Sequence, residues 1–290
     1  MTKLADTPTM PAVSSKHVQV IKLGGELLET PAQRANIAAF AARLAADHPV
    51  AIVHGGGRAI DAELARRGIA PKKIDGLRIT DADTLDAVVA VLAGSANTAL
   101  VAALVAAGVP AVGLTGVDAG FGRATRVDAH QTASGAVVDL GLVGDPTDAD
   151  PRLVALLLTN GYVPVIASLG VATHGADVLN VNADVMACRL AASLGASELV
   201  IAGGTAGVLD RDGRTIASMD VAAIDDAIAS GTATAGMIAK LSSCRAALAD
   251  GVGTVRIVDG KTLDATHGLD EAPGTVLTEK VGVGFGAPDV

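Results

Sequence analysis

Six short, mostly apolar runs, at 18–23, 50–53, 111–114, 163–167, 199–202 and 255–258, alternate with stretches of helical periodicity along most of the chain. Continuous apolar runs of strand length belong to strands covered on both faces. That is the condition of a parallel sheet with crossover helices, so the alternation predicts βαβ units. Between the first two runs, Thr30 stands ready to cap a helix that starts at Pro31, and Ile37, Phe40, Ala41 and Leu44 follow at i, i+3, i+4 and i+7. Thr80 with Asp83 reads as a capping box for a second helix carrying Leu85, Val88, Val89 and Leu92. Gly68 and Gly108 stand where a left-handed residue would end a helix. The Gly- and Asp-rich stretch 116–151 breaks the alternation and is expected to be an antiparallel excursion or a lid.

A chain of 290 residues, half of them hydrophobic, can bury a substantial core. Its net charge of -9 argues against general affinity for nucleic acid or anionic lipid, which clustered Lys and Arg capture. With one Tyr, three Phe and no Trp, the stacking platforms of single-strand binders are missing too. The ligand expected is a small molecule. Cys188 and Cys244 lack metal-site or disulfide-scaffold spacing and read as small buried residues in helices. Residues 1–17 have no secretory apolar core and read as a flexible tail, as do 281–290. No apolar run reaches the roughly 18 residues of a membrane helix, so a cytoplasmic protein is expected.

Candidate chemistry begins at Lys22, inside an apolar strand and just before Gly24 and Gly25. An ammonium is costly to bury unpaired, so it should emerge at the strand's C-terminal end, where open α/β sheets bind ligands. A snorkelling edge lysine is the ordinary alternative. Gly55, Gly56 and Gly57 follow the second strand and precede a helix expected near Arg58 or Ala59, a setting in which backbone N–H groups face an anion. Neither a Walker motif nor a dinucleotide fingerprint is present. His54 is read as a strand-end histidine satisfied by neighbouring backbone rather than as a general base. Arg78 can grip a carboxylate through two nitrogens or form a surface ion pair. Asn180 and Asn182 suit a second carboxylate or an acylated nitrogen, or else a turn or helix cap. Asp184 opens an apolar helical pattern, and Lys240 lies near the start of a later one. Two ammonium groups flanking a phosphoryl group in flight supply most of what catalysis of its transfer needs.

Together, Ile21-Lys22-Leu23-Gly24-Gly25, His54-Gly55-Gly56-Gly57, Gly76-Leu77-Arg78, Gly94-Ser95-Ala96-Asn97, Asn180-Val181-Asn182-Ala183-Asp184 and Gly236-Met237-Ile238-Ala239-Lys240 resemble the amino acid kinase family, from about 18 to 258. The resemblance is greatest to those members that phosphorylate the γ-carboxylate of N-acetyl-L-glutamate with ATP and Mg2+. It implies a three-layer α/β sandwich with a mainly parallel central sheet, carbamate kinase-like and two-lobed. Residues 18–176 would form the substrate and dimer lobe and residues 177–280 the nucleotide lobe. It further implies that Lys22 and Lys240 stabilise the transition state while Asp184 orients them. Gly56, Gly57, Arg78 and Asn180 would hold acetylglutamate, and Gly25 the phosphoryl group. The nucleotide would lie along 204–209 and 232–240, which contain Gly204, Thr205, Gly207, Leu209, Gly236 and Met237. No protein-held metal is implied, and the expected assembly is an arginine-insensitive homodimer.

One departure stands out. Where the family carries Ser- or Thr-Asp, this chain has Gly203-Gly204, so a carboxylate expected beside the nucleotide is missing. Rival readings are a kinase of a carrier-linked aminoadipate or glutamate, served by a basic rim at Arg66, Arg67, Lys72 and Lys73, and a non-catalytic amino-acid-binding regulator on the same fold.

Overall fold

Each of the six runs becomes a strand of one eight-stranded sheet in the computed structural model, which describes residues 18–280 except 133–134, 148, 232–234, 267–268 and 270. The expected tails, 1–17 and 281–290, lie outside the described residues. The strand order is β14 (Ser218–Asp220), β16 (Gly274–Thr278), β15 (Thr254–Asp259), β13 (Glu198–Gly203), β1 (Gln19–Leu23), β2 (Val50–His54), β10 (Val163–Ala167) and β5 (Ala111–Thr115). All neighbours run parallel except β15 with β16. The four strands drawn from 18–176 fill one half of the sheet and the later four the other, and the halves meet where β1 pairs with β13.

Alternate side chains leave the sheet on opposite faces, and both faces are covered. Val20, Val53, Leu199, Ile201 and Ile257 pack under α5 (Arg152–Thr159), α6 (Ala183–Leu194), α7 (Val221–Ala229) and α8 (Ala235–Ala249). Ile21, Leu23, Ile52, Val200 and Ala202 pack under α1 (Pro31–Asp47) and α4 (Asn97–Ala106) through Ile37, Phe40, Leu100 and Leu104. The result is the predicted three-layer sandwich. Cys188 and Cys244 are buried and free, and the neighbouring Cys244 thiol together with burial pushes the Cys188 thiol up.

The Thr30 cap forms as expected. Its hydroxyl accepts from Gln33 N–H at 3.2 Å while the Gln33 side chain accepts from Thr30 N–H at 2.9 Å. The second expected cap moves by one residue. Thr80 is drawn into backbone pairing with Leu140 and Leu142, so Asp81 caps α3 (Ala82–Val89) by accepting from Thr84 N–H at 2.9 Å. This helix continues through a π-helical segment, Ala90–Ala96, into α4. The continuous helix Ala82–Ala106, whose most apolar 18-residue stretch has a mean hydropathy of 2.1, is long and apolar enough to cross a membrane by length and composition, against the sequence expectation. Its hydropathy comes from Ala, Val and Leu spread on either side of Gly94, Ser95 and Asn97 rather than from one unbroken run. Here it buries Leu100 and Leu104 against the sheet and α1.

Part of the stretch 116–151 forms the antiparallel pair β6 (Arg123–Arg126) and β9 (Val143–Pro146), with β7 (His130–Gln131) and β8 (Val137–Val138) beside it as a small hairpin. The hairpin of β11 (Leu169–Ala172) and β12 (Val178–Val181), whose turn is 173–177, closes the first pair into a four-stranded barrel. The barrel holds Asn180 opposite Leu169, over the carboxyl ends of the central strands.

Phe40 is wholly buried between α1 and the sheet. Phe40→Ala should destabilise the fold by about 3–5 kcal/mol, seen as a lower urea midpoint with little change in slope.

Candidate active site

Strand β1 carries Lys22 one residue before its end, between Val53 of β2 and Ile201 of β13. Lys22 shares a face with Val20 and therefore points toward α6. That helix begins where the Asn182 side chain accepts from the N–H groups of Asp184 at 2.8 Å and Val185 at 3.3 Å. Asp184 thus sits in the first turn, over the strand ends. Lys22 Nζ lies 2.9 Å from Asp184 Oδ1, and Lys240 Nζ, from α8, donates to Asp184 Oδ2 at 2.6 Å. Only 11% of Lys22 and 17% each of Asp184 and Lys240 are exposed, so water screens the triad weakly. Burial alone would raise the Asp184 pKa. The positive charges of Lys22 and then Lys240 outweigh it and hold the carboxyl down at about 2.

Beside the triad, β2 leads through Gly55 and Gly56 into α2 (Gly57–Arg66), which starts one residue earlier than expected. This turn lies directly against the Gly24-Gly25 turn. A Cβ on Gly25 would stand 2.7 Å from Gly56 Cα and 3.0 Å from Gly57 N, so a side chain there would push the two turns apart. Among the described residues nothing accepts from the N–H groups of Gly56 and Gly57, which open the helix as unsatisfied donors.

Arg78 comes from a hairpin of β3 (Lys73–Ile74) and β4 (Leu77–Arg78), whose turn residues Asp75 and Gly76 both have positive φ, 49° and 82°. Its guanidinium is buried. Nη2 lies 2.6 Å from Asp61 Oδ1 and donates to Gly57 O at 3.2 Å, while Nη1 has no partner among the described residues. A buried guanidinium nitrogen left open is costly unless a ligand accepts from it. The Asn180 amide donates to Thr80 Oγ1 at 3.2 Å. Lys22, Gly25, Gly56, Gly57, Arg78, Asn180 and Asp184 all line one cleft of about 290 Å³. Lys240 and Gly236 line an adjoining cavity of about 270 Å³ that shares Asp184 and Asn182 with it.

The remaining expected nucleotide residues line neither space. Gly204 and Thr205 are exposed beyond β13, Gly207 (φ 97°) packs on Thr275, Leu209 is exposed, and Met237 packs against the core. The segment 232–234 lies outside the described residues. Sequence reading also passed over Glu26. Its carboxylate lies 3.5 Å and 3.6 Å from where Cβ atoms on Gly203 and Gly204 would stand, with Lys261 Nζ 3.8 Å from the latter. A carboxylate therefore occupies the neighbourhood of the missing one, brought by a different strand end. Asp61, which holds Arg78, was likewise unannounced. Only its place one turn into the helix after the glycines hinted at it.

Residues 17–259 match the amino acid kinase family. An acetylglutamate kinase of Aromatoleum aromaticum is 42% identical over 246 residues, 83% of this chain and 81% of that protein. That of Solibacter usitatus is 43% identical over 242 residues, 83% and 90% of the two. Among solved structures, the N-acetylglutamate synthase of Neisseria gonorrhoeae complexed with coenzyme A and N-acetyl-glutamate superposes with a TM-score of 0.77 at 23% identity, covering 91% of this chain and 60% of that longer one. Giardia carbamate kinase gives 0.65 at 15% identity, covering 92% and 100%. At such identities these two show the fold alone.

The Asp184 carboxyl, followed by 13C NMR, should titrate near pH 2 in the native protein and move upward in Lys240→Met, which removes one of its two cations. Its folded pKa lies below the ordinary 3.8. The pairing therefore stabilises the fold by about 2 kcal/mol above pH 4, and that contribution is lost as pH falls from about 4 through 2.

Proposed function

The chain belongs to the amino acid kinase family, and we propose that it is an acetylglutamate kinase, transferring the γ-phosphoryl group of ATP to the γ-carboxylate of N-acetyl-L-glutamate in arginine biosynthesis. The observation that carries this reading is the meeting of the Lys22–Asp184–Lys240 triad, which spans the cleft and its adjoining cavity through Asp184, with a buried Arg78 nitrogen in that cleft that lacks a partner among the described residues.

In this reading Arg78 and Asn180 take up one carboxylate of the substrate, and the other is presented over Gly25, Gly56 and Gly57. The γ-carboxylate is already ionised at neutral pH, so attack needs no general base. One of its oxygens bonds to the γ-phosphorus as the bond to the β,γ-bridging oxygen breaks, giving an acyl phosphate and ADP. Charge spreads over the transferring oxygens, where Lys22 and Lys240 stabilise it and the glycine N–H groups add donors. Asp184 keeps the two ammonium groups apart and aimed. Of the carboxylates nearby, Asp184 is taken by the lysines and Glu26 stands at the cleft wall. That donor set suits a magnesium ion carried mainly by phosphate oxygens and water. Bound there, Mg2+ would neutralise phosphate charge.

We also assign the substrate to the lobe of 18–176, with Asn180 reaching it from the start of the later lobe, and the nucleotide to that of 177–280, through Gly204, Thr205, Gly207, Leu209, Gly236 and Met237, in a cytoplasmic homodimer. The carrier-linked alternative asked for a free basic rim. Arg66 and Arg67 pair with Glu63, and Lys73 with Asp61, so much of that charge is already neutralised.

A coupled assay of ADP release should show turnover with N-acetyl-L-glutamate and little with glutamate or aspartate. No turnover with any of the three defeats the proposal. Lys22→Ala and Lys240→Ala should each lower kcat by about 100- to 1000-fold, the cost of losing one donor to a developing anion. Arg78→Ala should raise the KM for acetylglutamate by about 10- to 100-fold and leave that for ATP little changed, as expected for a lost charge-assisted contact.

A further inference from the structure

We propose that His54 and Asn97 are positioning residues that fix the peptide plane joining Gly55 to Gly56, so that the Gly56 N–H is aimed into the cleft. His54 ends β2 and is wholly buried; its ring does not line the cleft. Its two nitrogens have unlike neighbours. Nδ1 lies 3.1 Å from Gly55 O, an acceptor, and Nε2 lies 3.0 Å from Asn97 Nδ2, a donor. The same Asn97 Nδ2 donates to Val165 O at 2.9 Å, which independently fixes which end of the amide faces the ring. Both contacts are satisfied by one arrangement only, a neutral ring with its proton on Nδ1. Burial lowers the His54 pKa to about 4, so that state persists throughout the neutral range.

The consequence follows from amide planarity. Gly55 C=O and Gly56 N–H belong to one trans peptide group and point in opposite directions. With the carbonyl held on the ring, the N–H is turned away from it. Glycine supplies no side chain to hold that plane, so an outside grip is needed. Asn97 is itself held in place. It follows the π-helical segment Ala90–Ala96, a deviation that recurs at functional sites, and a Cβ on Gly113 would stand 2.2 Å from its Oδ1. Leu92 of the same segment abuts the glycine turn, since a Cβ on Gly56 would stand 2.8 Å from Leu92 Cδ2. A plain core would use apolar residues here and avoid burying an imidazole and an amide.

The inference rests on the kinase reading for its effect on turnover, but the ring can be tested without any reaction. In 15N-labelled protein, His54 should give the spectrum of a neutral Nδ1–H imidazole between pH 6 and 8, and Asn97→Leu should abolish that single tautomer. An Nε2–H ring in the native protein overturns the proposal whether or not acetylglutamate is a substrate. In the kinase assay, His54→Leu should lower kcat/KM for acetylglutamate about 100-fold, the scale of a misplaced or lost donor, with the KM for ATP within about twofold. His54→Asn, whose amide nitrogen reaches the place of Nδ1, should recover most of the loss. A folded His54→Leu enzyme of native kinetics, or a His54→Asn enzyme no better than His54→Leu, overturns it. If His54→Leu does not fold, the ring spectrum and His54→Asn still decide.

Discussion

One carboxylate holds two ammonium groups within 3 Å of itself, and the organisation of the cleft depends on it. Lys22 comes from a central strand, Lys240 from the last covering helix, and Asp184 from the first turn of the helix between them. Without Asp184, two partly desolvated cations would face each other at close range, a strongly unfavourable arrangement. With it, the triad keeps a net charge of +1, which a transferring phosphoryl group can use. The same logic repeats at smaller scale at Arg78, where Asp61 restrains a buried guanidinium yet leaves Nη1 open. In both places a protein acid holds a cation still and leaves part of it for the ligand.

How far the sequence foretold this varies with the range of the interaction. The strands were legible because runs such as 199–202 are apolar on both faces, and the Thr30 cap because its partner is three residues away. Lys22 was legible as a cation out of place in an apolar strand. Nothing local ties Asp184 to Lys240, 56 residues later; only the resemblance paired them. Asn182 was offered as ligand or cap, and the structure uses it as a cap. Thr80 failed as a cap because its backbone is claimed by Leu140 and Leu142, a pairing from 60 residues away that no helix signal contains. The stretch 116–151 was obscure for a similar reason, since its strands complete a barrel only with β11 and β12.

Glu26 shows how a gap in a motif can mislead when read along the chain. Gly203-Gly204 reads as the loss of an acid, and in the linear sequence nothing compensates for it. In space the two glycines leave room that the Glu26 carboxylate enters from the end of β1. A Cβ at 203 or 204 would stand in ordinary van der Waals contact with it, so the place of the missing acid lies directly against the glutamate.

The seam where the two halves of the sheet meet explains why these parts gather where they do. β1 lies at that seam, between β2 and β13, so its carboxyl end adjoins the Gly55–57 turn on one side and the Gly203-Gly204 end on the other. Lys22, Gly25 and Glu26, within five residues, therefore reach the anion floor, the triad and the edge of the later half. Because Gly25 and Gly56 are in backbone contact, the floor cannot shift without moving β1, and β1 cannot shift without moving Lys22. The stiffness of a buried, doubly covered parallel sheet is thereby conferred on the distance between the glycine donors and the two ammonium groups. A reaction that depends on placing charge within fractions of an ångström requires that rigidity.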